Sequence, residues 1–296
     1  MPDSYPRLKV ISALAAGLVA FGFSPIFVRF TPETPALVLA AYRTVIASAL
    51  LIPYWLLNRD RSTTPTKDKI YTMVAGVCLG IHFILWISSL HYTSVASAAV
   101  LVTIHPIIII LVERLWFKRS FALTTWIGVA LAFLGSVLLG ISDSQIEQDF
   151  ADPLFGNFLA TSAALIFVIY ILIGQKIRQK REWVDYVFPV YFYAGATCVV
   201  AALLLGENLF EISLIGAASA TGMAVFPQIL GHGSMNYAVK YISPTLISTL
   251  ILTEPIFATF LAYVLFNELP PLTSFLAMLV IIVGVGLTWK RKPRNN

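Results

Sequence analysis

The residues of this sequence best suited to binding chemistry are ionisable side chains inside long apolar stretches. Glu254 and His105 each stand immediately before a proline. A carboxylate at such a place can bind a substrate amine or carry a proton, and an imidazole can change its charge near neutral pH. Because proline removes a backbone hydrogen bond, Pro255 and Pro106 are predicted hinges beside these groups. The structural alternatives are a hydrogen-bonded carboxyl group and a packing histidine.

A second set of candidate residues is spaced for one face of a helix. His82 and Trp86 are four residues apart, and an aromatic ring beside a polar group suits a wall that contacts substrate. Trp86 lies near the end of its apolar stretch, so an interfacial anchor is the alternative. Gln228, His232 and Asn236 also step by four, and such a stripe should face protein or water. The stripe can either line a cavity or form hydrogen bonds between helices, and the sequence leaves both roles open.

Arg43 is the one other charge predicted deep in an apolar stretch. It can bind a substrate carboxylate, hold an acidic group such as Glu33, or extend its head to the outer surface. No metal-ligand spacing, phosphate-binding loop or catalytic triad motif occurs, so we expect no metal, no cofactor and no enzyme. Four charges at the ends of apolar stretches are expected in solvated or interfacial positions: Arg29, Glu113, Arg114 and Glu268.

The elements that must position these residues are membrane-spanning helices. Hydrophobic residues make up 58% of the 296 positions and charged residues only 12%. The apolar stretches are each close to the roughly 20 residues that cross a bilayer as a helix. The first stretch is long enough for an uncleaved span instead of a signal peptide. Ten spans are predicted, at residues 9–29, 36–57, 70–89, 94–113, 121–141, 155–175, 184–205, 216–237, 244–266 and 272–289.

The basic residues indicate how these spans are oriented. All of the 20 lysines and arginines except Arg29 and Arg43 fall at the N-terminus, at the C-terminus or in the loops after spans 2, 4, 6 and 8. Basic loops stay in the cytoplasm, so both termini are predicted to be cytoplasmic. The net charge of +5 is therefore explained by topology, and no nucleic acid partner is expected.

The second half of the chain repeats the first. Residues 91–139 align without a gap to residues 240–288, which places His105 over Glu254 and Pro106 over Pro255. Five spans per half is an odd number, so the second copy enters the membrane from the opposite side. The predicted fold is an all-α membrane protein of ten transmembrane helices in two inverted five-helix repeats. The predicted domains are 1–143, a periplasmic linker at 144–153, and 154–296.

The order of spans and motifs resembles the EamA family of the drug/metabolite transporter superfamily. The resemblance is carried by HFILWISSLHYTSVASAAVLVTIHP at 82–106, PQILGHGSMNYAVKYISPT at 227–245 and TLILTEPIFATFLAYVLFNELPP at 249–271. It implies a central cavity between two inverted repeats. The chain departs from the family where His105 replaces a glutamate before proline. Lys118 and Arg119 likewise stand where a glutamate, matched by Glu268, is usual.

The resemblance implies a bacterial inner-membrane exporter of small metabolites, most simply amino acids or related compounds. We expect alternating access around spans 3, 4, 8 and 9, proton coupling through His105 and Glu254, and a monomer or homodimer. A sugar-phosphate or drug/cation carrier of the same superfamily is an alternative. A membrane-embedded lipid-modifying enzyme and a receptor are alternatives from other classes. The loops lack a nucleophile or metal cluster for an enzyme, and no soluble signalling domain is evident.

Overall fold

The computed structural model describes residues 6–60, 64–93, 95–143, 152–267 and 269–289. These ranges contain helices joined by short loops, and no β-strand occurs within them. The prediction of an all-α membrane protein is confirmed, since helices satisfy their own backbone groups in lipid. Most of the predicted linker 144–153 and the residue Glu268 lie outside the described residues.

Nine helices in the described ranges are long and apolar enough to cross a bilayer. A further apolar helix, Leu123–Asp143, stands where the fifth span is predicted. We number these helices as spans 1 to 10 in chain order. They are Arg7–Arg29, Ala36–Asn58, Thr66–Tyr92, Ala98–Leu115, Leu123–Asp143, Pro153–Arg178, Trp183–Leu204, Leu214–Ala238, Pro244–Phe266 and Leu272–Trp289.

Spans 4 and 9 are each broken in the middle. Span 4 consists of the helix Val95–Val102, which begins three residues before the membrane-spanning range given above, and the helix His105–Leu115. Span 9 consists of Pro244–Ile251 and Glu254–Phe266. Around both breaks, backbone N–H groups bond to the carbonyl three residues earlier instead of four. The two breaks fall at aligned positions of the two sequence copies. Pro106 and Pro255 lie in the first turn of the second helices, where a proline has no hydrogen bond to lose.

Span 8 contains a widened turn. The α-helix Leu214–Met223 passes into a π-helix, Ala224–His232, and then into the short α-helix Gly233–Ala238. Pro227 lies inside the π-helix, whose looser winding accommodates a ring that an α-helix would exclude. Because π-turns change the angular step between residues, the stripe of Gln228, His232 and Asn236 does not follow a regular α-helical face.

The spans pack in specific pairs. Span 5 packs mainly on span 10, span 3 on spans 6 and 7, span 2 on span 7, and span 1 on span 8. Small residues allow the close approaches, since a Cβ atom on Gly284 of span 10 would lie 2.4 Å from the backbone nitrogen of Ala132 of span 5. Buried apolar side chains of spans 1 to 4 and 6 to 9 form one continuous core.

The loops after spans 2, 4 and 6 meet at one end of the bundle. Arg181 forms an ion pair with Asp60, with an N–O distance of 3.7 Å. The Arg119 guanidinium donates to the Gln175 side-chain oxygen at 3.5 Å. We call this end the basic side, because it carries the loops in which the lysines and arginines are concentrated.

The other end of the bundle collects the loops that carry acidic residues. The Ser213 hydroxyl, before span 8, donates to Glu33 at 3.5 Å. The Thr93 hydroxyl, after span 3, donates to the Asn157 side-chain oxygen near the start of span 6 at 3.0 Å. We call this end the acidic side. That the basic side faces the cytoplasm stays a prediction from the charge distribution.

Candidate functional site

A buried cavity lies where the two broken spans meet spans 1, 2, 3, 6 and 8. Its volume is about 50 Å³, which holds a few water molecules. Polar and aromatic side chains face it from opposite halves of the sequence. The lining residues are Phe21, Ser24, Arg43, His82, Phe83, Trp86, Val102, Thr103, His105, Phe167, Pro227, His232, Ile251 and Glu254.

One cation and one carboxylate share this cavity. Arg43 is 1% exposed, its Nε donates to Gln228 Oε1 at 3.1 Å, and its Cζ lies 4.0 Å from the centroid of the Phe83 ring. Arg43 therefore does not extend its guanidinium to the outer surface, and its hydrogen-bond partner is Gln228 instead of Glu33. Glu254 faces the cavity from the break in span 9. Within the described residues Arg43 forms no ion pair, and both side chains face the space that a polar guest would occupy.

Three histidines surround the same space. His82 Nδ1 donates to the Ala163 carbonyl at 3.0 Å, and His105 Nδ1 donates to the Val102 carbonyl at 2.9 Å, which leaves each Nε2 as an acceptor. His232 packs edge-on to neighbouring aromatic rings. His105 Nε2 and His232 Nδ1 are buried without a protein partner. Since buried polar atoms are normally hydrogen-bonded, these two nitrogens mark positions for water or substrate.

No group of three or more His, Cys, Asp or Glu side chains in the described ranges is arranged to hold a metal ion. Cys78 and Cys198 are free and buried in spans 3 and 7. The side chains that line the cavity supply hydrogen-bonding groups, ionisable groups and aromatic surfaces.

The predicted stripe on span 8 divides between two roles. His232 lines the cavity, whereas Gln228 lies behind Arg43 and holds its guanidinium. Asn236 lies further from the cavity, where its Nδ2 donates to the His232 carbonyl at 2.8 Å and to the Tyr170 hydroxyl. The widened turn places these three residues at different depths, so only one of them reaches the cavity wall.

Trp86 lines the cavity and is 6% exposed, so the structure does not place it as an interfacial anchor. His82, one turn earlier, lines the same wall. Of the predicted residues, six therefore line one cavity, while Gln228 and Asn236 lie outside its lining. The prolines Pro106 and Pro255 directly follow lining residues but are not themselves part of the wall.

Sequence reasoning missed the aromatic walls. Phe21, Phe83 and Phe167 line the cavity, and the imidazole of His105 lies 4.7 Å from the Phe167 ring between centroids. Phenylalanine is common throughout membrane spans, so its type carries no signal for a site.

Glu113 is the clearest departure from the expected surface positions. The prediction placed it among solvated or interfacial charges, but its side chain is fully buried. Arg119 and the Thr245 hydroxyl both donate to its carboxylate. These partners come from the loop after span 4 and from the start of span 9, and sequence spacing gives no information on their proximity. The burial is possible because a charge can leave water when it is paired and hydrogen-bonded.

The model of the EamA-like transporter family matches this chain twice, at residues 8–141 and 154–290. The chain is 23% identical over 293 residues to the uncharacterized transporter YdfC of Bacillus subtilis, covering 98% of this chain and 93% of that protein. It is 24% identical over 288 residues to the uncharacterized inner membrane transporter YedA of Escherichia coli strain K12, covering 95% and 90%.

A eukaryotic relative and a solved structure are similar over comparable lengths. Solute carrier family 35 member G1 of Homo sapiens is 22% identical over 277 residues, covering 90% of this chain and 74% of that protein. A crystal structure superposes with a TM-score of 0.77 at 16% identity, covering 96% of this chain and 98% of that one, which shows a shared fold.

A bundle of apolar helices surrounds a cavity lined by polar and aromatic side chains. Such a protein has the bilayer as its solvent and a small molecule as its guest. Together with the family match over both halves of the sequence, this architecture identifies a multi-pass membrane transporter that belongs to the EamA-like transporter family.

Proposed function

We propose that this transporter exports a zwitterionic small metabolite, an amino acid or a close relative, across a bacterial inner membrane. The observation that carries the proposal is the presence of Arg43 and Glu254 in one buried cavity without an ion pair between them. A guanidinium binds a carboxylate well, and a carboxylate binds an ammonium group. A zwitterion can pair with both groups at once, and the unpartnered nitrogens of His105 and His232 offer it further hydrogen-bonding positions.

The alternative carriers of the superfamily fit the lining less well. A sugar phosphate would call for several cations, and Arg43 is the one arginine or lysine among the described lining residues. A cationic drug would suit Glu254 and the aromatic walls but would leave the Arg43 charge uncompensated. An unpaired buried charge is strongly unfavourable, so the paired guest is preferred.

The mechanism that we propose is alternating access between two inverted five-helix repeats. The packing supports this arrangement. Exchanging the halves converts the pair of spans 1 and 8 into the pair 6 and 3, and it returns the pairs 2 with 7 and 5 with 10 to themselves. The cavity of about 50 Å³ is too small for an amino acid, so the bundle must open to admit one. Pro106 and Pro255 are the proposed hinges of this motion.

The test is counterflow in proteoliposomes with a panel of radiolabelled amino acids, a sugar phosphate and an organic cation. We expect exchange of at least one amino acid. That exchange should fall by at least tenfold in Arg43→Gln and in Glu254→Gln, because each removes one charge partner of the substrate. Exchange of the sugar phosphate or of the cation, with none of any amino acid, would refute the proposed substrate class.

A further inference from the structure

The two halves of span 9 differ sharply in burial. In Pro244–Ile251, which runs from the basic side to the cavity, nearly every residue is buried. In Glu254–Phe266, which continues toward the acidic side, no residue is buried. Span 9 is therefore tightly packed on one side of the cavity and loosely packed on the other.

The partner of the tightly packed segment is the corresponding part of span 4. His105–Leu115 packs against Pro244–Ile251 between the cavity and the basic side. On the acidic side the two broken spans diverge, since Val95–Val102 packs on spans 5 and 6 whereas Glu254–Phe266 packs on span 1. The route from the cavity to the basic side is closed by contact between the two broken spans.

Glu113 lies at the end of this contact and joins the two halves of the sequence. Its carboxylate accepts hydrogen bonds from Arg119 and, on its other oxygen, from the Thr245 hydroxyl of span 9. Arg119 also donates to Gln175 of span 6 at 3.5 Å, so both ends of the cluster reach the second half. Lys118 has a left-handed backbone with φ of 51°, which turns the chain so that the Arg119 N–H returns to the Glu113 carbonyl at 3.0 Å.

We propose that Glu113, Arg119 and Thr245 form a latch that holds the cavity closed on the basic side. The inference rests on the proposed alternating access. Hydrogen bonds to a charged group are among the stronger ones in proteins, and these connect segments that must separate when the cavity opens to the basic side. Since the latch exists in one state of the transporter and is broken in the other, weakening it shifts the population toward the state open to the basic side.

The test uses a buried reporter between the latch and the cavity. Ser248 is fully buried on span 9, and it becomes the only thiol in a Ser248→Cys, Cys78→Ala, Cys198→Ala background. A membrane-impermeant maleimide is applied separately to each face of sealed membranes. We expect Glu113→Gln and Thr245→Val to raise labelling from the face with the basic loops by about tenfold, the effect of removing one charge-assisted hydrogen bond.

The matched control is Arg114→Gln, which neutralises the adjacent but exposed charge and should leave labelling unchanged. Unchanged labelling in latch variants that elute as folded protein would overturn the latch. The assay needs no substrate, so the two proposals fail separately. Absence of any amino-acid exchange refutes the substrate proposal, and intact exchange with unaltered labelling refutes the latch alone.

A second measurement tests directly whether the two segments must separate during transport. Glu113→Cys combined with Thr245→Cys, again without the native cysteines, allows a reducible thiol cross-linker to bridge spans 4 and 9. We expect the cross-linked protein to lose exchange and to regain the exchange rate of its uncross-linked form on reduction. Full exchange while the bridge is intact would show that these segments need not separate, and the latch would be wrong.

Discussion

At the residue scale, the role of Arg43 depends on the shape of its side chain as well as on its charge. The guanidinium donates through Nε to Gln228 while its Cζ lies over the Phe83 ring. A guanidinium can make both contacts and still present its terminal nitrogens to the cavity, whereas an ammonium group acts as a single point charge. We therefore expect the residue to act as a fixed fork and not only as a counter-ion.

Replacing Arg43 with lysine tests this role. We expect Arg43→Lys to reduce exchange by about tenfold or more, which corresponds to roughly 1.5–3 kcal/mol for a hydrogen bond to a charged group. Exposed Arg114→Lys is the control and should exchange at the normal rate. Normal exchange by Arg43→Lys would show that charge alone is sufficient.

At the element scale, spans 4 and 9 end with the same backbone device. Lys118 and Asn267 are the non-glycine residues with positive φ in the described ranges, at 51° and 57°, and they occupy aligned positions of the two sequence copies. Asparagine is tolerated in the left-handed region, whereas lysine gains nothing there. The loop after span 4 therefore carries conformational strain at Lys118.

The strain at Lys118 leads to a prediction about stability. Lys118→Asn should preserve or slightly raise the thermal stability of the detergent-solubilised protein. Lys118→Val should lower the free energy of unfolding by about 1–2 kcal/mol, because a β-branched residue is disfavoured at positive φ. Tryptophan fluorescence during thermal unfolding measures both. Equal stability of the two variants would argue against a left-handed residue at this position.

The packing of span 5 on span 10 provides a second prediction at this scale. A Cβ atom on Gly284 would lie 2.4 Å from the Ala132 nitrogen and 2.7 Å from the Gly128 carbonyl, whereas one on Gly286 would have no atom within 4 Å. We expect Gly284→Val to force the helices apart and to cost about 1–3 kcal/mol. Gly286→Val, on the same helix, should be close to neutral. Thermal unfolding of the two variants measures these effects. Equal losses of stability would contradict the close packing of spans 5 and 10 at Gly284.

At the scale of the whole molecule, the cavity combines two groups that can carry protons. His105 and Glu254 lie at the breaks of spans 4 and 9 and line the same space. If substrate and proton use these groups in alternate states of the transporter, an imposed pH gradient will drive export. Coupling of this kind requires that each group be accessible first from one side of the membrane and then from the other. Alternating access would provide this change of accessibility.

Uptake into proteoliposomes with and without an imposed pH gradient tests the coupling. We expect a several-fold acceleration by the gradient that disappears in Glu254→Gln and weakens in His105→Gln. His91→Gln is the control, because His91 lies at the acidic end of span 3 and bonds to the Ile87 carbonyl at 3.1 Å, outside the cavity. Equal rates with and without the gradient would leave facilitated diffusion as the mode of transport.

Much of the fold followed from the sequence because the bilayer restricts what a chain can do. Long apolar stretches must be helices, and the helices Pro244–Phe266 and Leu272–Trp289 have the predicted ends. The prediction that ionisable residues inside spans gather around one space also had a physical basis, since exposing each of them to lipid costs free energy. The structure places Arg43, His82, His105, His232 and Glu254 around one cavity on that account.

The sequence by itself determined the solvent of this protein and the presence of its helices, because these depend on local composition. Tertiary structure alone decided that Gln228 supports Arg43, that phenylalanines form the walls, and that Glu113 is buried against Thr245. Such contacts join residues far apart in the chain. They depend on the relative rotation and depth of packed helices, which the pattern along any single helix does not specify.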